Sequence, residues 1–268
     1  MANEVIAAGL GELRAASTAG GGTALSTTAT FIQLPVLSHH VFITPRNFST
    51  AVVAQVALNP YLVVLKTADV MATAPTDYSS AAQDADAATN VVLSALDTLA
   101  NGDFILVGSH LPFRGAYLDV DGANAIGSVL SVFYWNGTAW ADASATDGTT
   151  SGGNTFAVDG LVSWTVPSAW ALAKLSAIYT TTPASVLTGL NLYWTRWSVS
   201  VLLTNPTTLN SLLAANRSTA YSEWLSGQPL EQRIKVGVGG VGCVEALVNG
   251  GTGNLIVNVA AIRDGRIE

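Results

Sequence analysis

The stretch SVFYWNGTAWADASATDGTTSGGNTFAVDGLVSWTVPSAW, Ser131 to Trp170, indicates the fold class of the chain. Val132 and Tyr134 alternate with their neighbours at the period of a strand, and Asn136-Gly137 marks a turn before the next strand. Because Asn and Gly both tolerate positive φ, we expect a hairpin with a type I′ turn here. The stretch holds four of the seven tryptophans, and we expect Pro167 to end its last strand so that Trp170 folds back as a plug.

β-rich runs of sequence continue on both sides of this stretch. TFIQLPVL, HVFITPR, AVVAQVAL and YLVVLKT precede it as β-rich runs that are broken by Pro or by Asn59-Pro60. LNLYWTRWSVSVLLT, Leu190 to Thr204, follows it as a long strand. Alternation predicts one face formed by Leu190, Leu192, Trp194 and Arg196, with Tyr193 and Trp197 on the other.

Strand candidates, roughly a dozen, recur at spacings of about 8–15 residues without a regular βαβ alternation. We therefore predict a mainly β protein, a β-sandwich or jelly roll with a short helical segment and an extended N-terminal arm. The best helix candidate covers residues 207–233. Two further strands are predicted at the C-terminal end, in IKVGVGGVGCVEALV and NLIVNVAAI, joined by NGGTG.

Composition divides the chain into four predicted regions. Residues 1–30 are rich in small residues, include three consecutive glycines, and form an arm that we expect to dock on a neighbouring subunit. Residues 31–100 form a β-rich base region, which residues 205–268, a helix plus C-terminal strands, are expected to complete. Residues 101–204 form a sandwich module inserted between them.

The charge balance argues against several classes of partner. The formal net charge is −7, and the eleven Lys and Arg residues form no basic run of the kind that binds a phosphate backbone, so no nucleic acid partner is expected. The longest apolar stretches are far shorter than the roughly 20 residues of a membrane span, so no membrane partner is expected. One cysteine, Cys243, and an N-terminus without a signal-peptide pattern favour assembly in a reducing cytoplasm.

Several segments resemble functional motifs without matching them. GVGGVG, Gly237 to Gly242, does not have the spacing of a dinucleotide fingerprint, and we interpret its glycines as close backbone packing. DVDGAN, Asp119 to Asn124, places Gly122 too early for a calcium loop, so we expect a turn between strands. His39 and His40 would point to opposite faces of a strand, and Ser109-His110 lacks a nucleophile elbow.

A sugar-directed site is the remaining chemical possibility. The carboxylates considered as a glycosidase pair fall in turns or strand ends without an apolar surrounding that would raise one pKa: Asp119, Asp121, Asp142, Asp147 and Asp159. Trp135, Trp140 and Trp164 are conceivable stacking platforms, although tryptophans at strand spacing are more often core residues. We therefore predict no catalytic residue, no cofactor, no metal ligand and no enzymatic activity.

The region from about Asp103 to Thr204 resembles a module of tailed-bacteriophage virion structural proteins. The resemblance is carried by FILVGSHLPFRGAYLDV, by LSVFYWNGTAW, by DGTTSGG with FAVDGLVSWTVPSAW, and by LYWTRWSVSVLL. It covers roughly 100 of the 268 residues. The resemblance implies a β-sandwich of the jelly-roll type and a structural role in a head, tail or baseplate.

The expected function is therefore that of a virion structural protein, and in particular a capsid decoration, or cement, protein that stabilises the shell by non-covalent contacts. Its expected partners are virion proteins, either the major capsid protein or tail proteins, together with other copies of itself, arranged as a trimer or another homo-oligomer. Its expected location is the virion, after assembly in the cytoplasm of the host bacterium. A tail or baseplate component, or a carbohydrate- or receptor-binding module of a tail fibre, are the alternatives.

Overall fold

β-Branched and aromatic runs separated by Gly, Pro and Asn produce strands along the whole described chain. The computed structural model describes residues 13–15, 22–34, 38–49, 53–84, 86, 88–183, 185–215, 221–225, 232–235 and 241–261. Within these residues, helical structure is limited to one four-residue helix, α1 (Leu175–Ile178), and two 3₁₀ turns at Ala81–Gln83 and Leu99–Asn101. The predicted mainly β class is confirmed.

The described residues form 21 strands. In chain order they are β1 (Leu13–Ala15), β2 (Thr23–Leu25), β3 (Thr30–Gln33), β4 (Ser38–Arg46), β5 (Val53–Pro60), β6 (Val63–Thr67), β7 (Thr76–Asp77), β8 (Val91–Val92), β9 (Phe104–Ser109), β10 (Gly115–Gly122), β11 (Leu130–Trp135), β12 (Trp140–Asp142), β13 (Thr146–Asp147), β14 (Gly160–Ser163), β15 (Leu172–Ala173), β16 (Leu192–Val199), β17 (Thr208–Ala215), β18 (Tyr221–Leu225), β19 (Gln232–Lys235), β20 (Val241–Val248) and β21 (Gly253–Ala261).

Contacts divide the chain into two compact units. The continuous unit comprises Pro60–Ala215, and the split unit comprises Met1–Asn59 together with Asn216–Glu268. Strands β6, β7 and β8, which the sequence analysis assigns to the 31–100 base region, pair within the sheets of the continuous unit. The boundaries at Pro60 and Ala215 thus differ from 101 and 204, since β6 pairs with β9 and β17 pairs with β10.

The continuous unit is a β-sandwich. One sheet has the order β12-β11-β16-β9-β6-β7, with β15 beside β16, and the other has the order β13-β14-β10-β17-β8. Side chains from both sheets share one buried cluster, in which Val107 and Trp197 come from the first sheet and Leu118 and Leu212 from the second. Burial of these apolar side chains, each contributing about 1.5–3 kcal/mol, holds the sheets together.

The first sheet also carries apolar residues on its opposite face. Along β16, Leu192 and Trp194 belong to this second cluster, whereas Tyr193 and Trp197 pack against the sandwich core. The predicted alternation is confirmed between Leu192 and Trp197, whereas the strand is shorter than predicted, since it begins at Leu192 and ends at Val199. The loops before β16, including Leu175 of α1, cover part of this opposite face.

The split unit is also built from two antiparallel sheets. Their orders are β1-β21-β4-β19, with β2 beside β21, and β18-β5-β20-β3. Ile43 and Val257 of the first sheet share a buried core with Ala54 and Val244 of the second. The second predicted C-terminal strand lies in β21, which pairs with β4. The first is divided, because Ile234 and Lys235 belong to β19, which pairs with β4, whereas residues 241–248 form β20 in the other sheet, beside β3.

The helix predicted for residues 207–233 is wrong. Residues 208–215 form β17, which pairs with β10 over nearly its whole length, and β18 and β19 occupy 221–225 and 232–235. Residues of good helix propensity such as Leu212 and Ala214 lie in this strand because both sides of the run are buried, and burial between neighbouring strands overrides local propensity. The remaining residues of 216–231 lie outside the described residues.

Two local predictions about turns are also corrected. Trp135 pairs with Trp140, so four residues connect β11 and β12, and Gly137 but not Asn136 has a positive φ (99°). The Asn136 side chain accepts hydrogen bonds from the amides of Thr138 (3.0 Å) and Ala139 (2.8 Å), which stabilises this longer loop over a type I′ turn. Residues 119–122 continue β10 through register shifts instead of forming the expected turn.

Only part of the predicted N-terminal arm is described. Strands β1 and β2 both pair with β21 of the same chain. Leu13 is the first residue of β1, and residues 1–12 lie outside the described residues. Docking of the arm on a neighbouring subunit stays a prediction.

Candidate functional site

The structure separates the four tryptophans of the 131–170 stretch into two pairs. Trp164 and Trp170 lie in the sandwich core, with 3% and 7% of their surface exposed. Both pack on Phe113, with ring centroids 5.4 and 5.2 Å apart, and the Trp170 indole N–H donates to the Trp194 carbonyl over 3.1 Å. These two rings are structural, and Trp170 is the predicted plug.

Trp135 and Trp140 lie at the loop end of the β11–β12 hairpin and are half-buried. They are a directly opposed pair in the register, and their rings meet at 5.5 Å with an interplanar angle of 68°. In an antiparallel pair, opposed side chains share one face of the sheet. Both rings therefore lie on the face opposite to the sandwich core, on the same face as Trp194 and Arg196.

Arg196 lies in the middle of this face, held by aromatic rings. On β16 it is opposed by Phe133 of β11. Its guanidinium carbon lies 5.0 Å from the centroid of Trp140, 5.1 Å from Phe133 and 5.8 Å from Phe104. A cation over an aromatic face is attracted by the ring quadrupole, by about 0.5–2 kcal/mol per contact depending on burial.

Tyr179 completes the group from the residue that follows α1. Its ring stacks on Phe104 at 5.7 Å and approaches Trp140 at 6.3 Å. Burial raises the pKa of the Tyr179 hydroxyl, and the Arg196 charge together with the Arg196 and Trp140 N–H groups partly offsets that increase. We call Phe104, Phe133, Trp140, Tyr179 and Arg196 the aromatic–arginine cluster.

Three buried polar atoms of this cluster lack a hydrogen-bond partner among the described residues. They are Nε of Arg196, Nε1 of Trp140 and the hydroxyl oxygen of Tyr179. The Arg196 and Trp140 N–H groups face the Tyr179 hydroxyl and, as donors to it, partly offset the increase that burial causes in its pKa. The cluster thus places a positive charge and two N–H donors around one tyrosine oxygen, and all three polar atoms are closed off from solvent.

The acidic residues considered as a glycosidase pair serve as local hydrogen-bond acceptors. Asp142 accepts from the Ser144 amide, Asp159 from the Val120 amide, and Asp147 from the amide and hydroxyl of Thr149. Asp121 accepts from the side chains of Asn90 and Thr208, and Asp119 accepts from the side chain of Asn210. The structure gives each carboxylate a local role in turns or strand pairing. Burial raises the pKa of the Tyr117 hydroxyl, and the nearby charges of Asp159 and Asp119 raise it further.

The remaining candidates are also dispersed. His110 follows β9, and burial lowers the pKa of its imidazole, whereas the side chains of His39 and His40 lie outside the described residues. Cys243 is fully buried in the split unit, and burial raises the pKa of its thiol strongly. Residues 237–240 of the glycine-rich segment lie outside the described residues, and Val241 and Gly242 begin β20.

The described part of the chain contains neither a metal-binding group of side chains nor a membrane-spanning helix. No three His, Cys, Asp or Glu side chains there are grouped closely enough to hold a metal ion. No helix found there has the length and apolar character needed to cross a membrane.

Sequence reasoning predicts the face on which Arg196 lies, but it does not predict the cluster. The alternation of 190–196 places Arg196 beside Trp194, and an arginine on an apolar face is the signal that the pattern offers. Tyr179 comes from a segment without periodicity, so nothing in the sequence brings it to Trp140. Comparisons of the chain with protein-family models, with curated proteins and with solved structures give no match.

Proposed function

We propose that the protein is a structural component of a bacteriophage particle that acts through non-covalent contacts and catalyses no reaction. Within this class we favour a decoration protein that stabilises the head shell, with a tail or baseplate component as the alternative position. The supporting observation is that the four sequence segments carrying the resemblance fold into neighbouring strands of one sandwich. They supply β9, β10, β11, β12, β13, β14 and β16 of the continuous unit.

An exposed apolar surface supports a role in contacts. Ile126 and Val129 in one loop and Val201 and Leu202 in another are between 39% and 64% exposed. The two loops lie side by side, since the Ser200 amide donates to the Val129 carbonyl over 3.0 Å and the Ser128 hydroxyl donates to the Val201 carbonyl over 3.1 Å. Apolar groups concentrated at one place on a surface are typical of contact sites for other proteins.

The sheet edges of the continuous unit favour contact through loops and faces. Three described edge strands are only two or three residues long and end in an aspartate: β7 in Asp77, β12 in Asp142 and β13 in Asp147. Short, charged edges discourage addition of a further strand from another molecule. A protein with such edges can be packed at high local density without uncontrolled sheet extension.

Purified phage particles test this proposal directly. An antiserum against the full chain, applied to particles released from the host and viewed by electron microscopy, is expected to label the head. Label confined to the tail would assign the alternative position. Particles that carry no label, with all of the protein in the soluble lysate, would refute a virion role.

Addition of the purified protein to shells lacking it tests cementing. We expect the full chain to raise the temperature at which the shells open, and a chain lacking residues 1–30 to raise it less. Equal opening temperatures with and without the full chain would contradict the decoration role while leaving the tail alternative to be judged by the labelling.

The half-buried pair Trp135 and Trp140 favours one second candidate, a receptor-binding module. Stacking of a sugar needs an open indole face. Arg196 lies over the Trp140 ring, so we take Trp135 as the platform to test. Binding of the full chain on a glycan array, lost in Trp135→Ala but retained in Trp164→Phe, would favour this candidate over decoration.

A further inference from the structure

Two neighbouring loops of the continuous unit hold four exposed apolar side chains in fixed positions. The Val129 amide donates to the Ser200 hydroxyl over 2.9 Å, and the Val201 amide donates to the Ser128 hydroxyl over 3.3 Å. These bonds add to the two already described between the same loops. Each of the four side chains is at least 39% exposed, and together we call them the loop-end surface: Ile126, Val129, Val201 and Leu202.

A third loop, between β13 and β14, supports the two loops that carry this surface. The Thr155 amide donates to the Ser128 carbonyl over 3.0 Å, and the Asn124 side-chain amide donates to the Thr155 carbonyl over 3.1 Å. The side-chain oxygen of Asn124 also accepts from the amide (3.2 Å) and the hydroxyl (3.0 Å) of Thr204. The loop-end surface is therefore organised before a partner arrives, so its binding orders little additional structure.

The three loops contain no charged residue, although the unit that carries them is strongly acidic. Residues 122–141, 148–158 and 197–215 include no Asp, Glu, Lys or Arg. Residues 60–215 as a whole contain eleven aspartates, no glutamate and four Lys or Arg residues, so this unit carries the entire net charge of −7 of the chain. Two copies repel each other where their aspartates face, and they can meet at the loop end without opposing like charges.

This charge pattern selects a second copy of the chain as the partner of the loop-end surface. A nucleic acid or an anionic membrane surface is bound through basic side chains, which the three loops lack. A basic protein would be attracted to the aspartates of the unit in preference to its uncharged loops. An apolar, uncharged surface is complementary to itself, which is the condition for a two-fold symmetric contact between identical chains.

We propose that the loop-end surface is a self-association site, at which two copies of the chain pack these four apolar side chains against each other. The inference rests on the proposed role as a contact protein, and it names the partner that this surface takes. Four side chains form a smaller contact than the interface of a permanent dimer, so the association is reversible and depends on protein concentration.

Sedimentation equilibrium of the purified full chain tests the site. We expect the average mass to rise from that of a monomer towards that of a dimer as the protein concentration increases. We also expect the dissociation constant to decrease when sodium chloride is raised from about 0.05 to about 0.5 M, because salt screens the repulsion between two acidic units. An association held by opposite charges would weaken over the same range.

Val129→Asp places a carboxylate in the proposed contact, opposite the same carboxylate of the second copy. We expect it to weaken the association tenfold or more, since a charge buried without a partner is costly. Val186→Asp is the matched control, because it adds the same charge at a position that is 82% exposed and lies in a different loop. Leu202→Ser removes an apolar side chain without adding charge and is expected to weaken the association several-fold. Each variant should keep the unfolding transition of the unmodified chain.

Three results would refute self-association at this surface. They are a monomeric mass at every protein and salt concentration, an association that weakens with salt, and equal dissociation constants for folded Val129→Asp and Val186→Asp. If the chain stays monomeric and Val129→Asp loses binding to shells, the surface belongs to a contact with a different protein, and the second copy is overturned as its partner.

Antibody labelling of particles judges the virion role separately from this inference. Labelled particles together with a monomeric chain would overturn the self-association alone. A dimer that Val129→Asp disrupts, found only in the soluble lysate, would overturn the virion role alone.

Discussion

Gly108 shows how one residue positions a large side chain. A Cβ at this position would lie 2.5 Å from Cε3 and Cζ3 of Trp194, so the indole ring lies directly against the glycine backbone. Trp194 is fully buried, and its N–H donates to the Ala173 carbonyl over 2.9 Å, which prevents the ring from moving aside. The face that carries Arg196 therefore depends on the absence of one methyl group.

Gly108→Ala is expected to lower the free energy of unfolding by about 1–3 kcal/mol, because it overpacks a closed site. Urea denaturation followed by tryptophan fluorescence measures the change. Gly127→Ala is the matched control, since its added Cβ has no neighbour closer than 4.0 Å, and it should unfold like the unmodified chain. A Gly108→Ala variant that matches the control would contradict the tight contact.

His110 makes stability depend on pH through its burial. Burial lowers its pKa in the folded state below the unfolded value of about 6.5, so the unfolded chain binds more protons between the two values. The free energy of unfolding is therefore expected to fall as the pH decreases from 7.5 through 6.5. His110→Asn should lose less stability over this interval than the unmodified chain in parallel urea titrations. An identical pH dependence in both proteins would show that His110 does not contribute.

At the scale of elements, regular alternation was predictable and irregular connections were not. The hairpin around Asn136 and the two faces of β16 follow from period-two patterns with one buried side. The sequence predicts a helix where β17 lies, because Leu212, Leu213 and Ala214 are all buried. A strand buried on both faces does not show the two-residue alternation of apolar and polar side chains that identifies a strand. The cluster around Arg196 was missed because Tyr179 reaches it from a loop.

The loop after β13 owes its shape to Asp147. Its carboxylate accepts from the Thr149 amide (2.8 Å), the Thr149 hydroxyl (2.6 Å) and the Thr150 hydroxyl (2.9 Å). Thr149 in turn accepts from the Phe156 amide, and the Phe156 ring is fully buried in the core. One carboxylate thus helps to hold a core ring in place.

Asp147→Ala is expected to lower the free energy of unfolding by about 1–3 kcal/mol, since it leaves the buried Thr149 hydroxyl without its acceptor. Asp142→Ala is the control, because Asp142 accepts only the Ser144 amide among the described residues and is exposed. Differential scanning calorimetry compares the two. Equal losses would mean that the extra bonds of Asp147 contribute nothing.

At the scale of the whole molecule, the continuous unit contains all the strand partners that it uses. Every described pairing of β6 to β17 is made within Pro60–Ala215, and two buried clusters lie inside the same range. The split unit, by contrast, takes its strands from both ends of the chain. Composition shows no break at Pro60 or Ala215, which is why the sequence did not predict these boundaries.

A chain of residues 60–215 is expected to fold alone. It holds six of the seven tryptophans, so its urea transition should be cooperative by fluorescence, and its NMR amide signals should be well dispersed. Residues 1–59 alone serve as the comparison and should remain unfolded, because β3, β4 and β5 pair with strands beyond residue 216. Collapsed, poorly dispersed signals from 60–215 would contradict independent folding.

The pairing of the split unit has a consequence for synthesis on the ribosome. Each described partner of β1 to β5 lies among β18 to β21, and about 160 residues separate the end of β5 from the start of β18, which translation at about 5–20 residues per second covers in roughly 10–30 s. During that interval strands β1 to β5 have been synthesised but lack their pairing partners, while the ribosome synthesises the residues of the continuous unit. The nascent chain therefore exposes the strands most prone to association first and pairs them last. Chaperones that bind nascent chains, or slow dilution of denatured protein during refolding, should affect the folding yield of the split unit most.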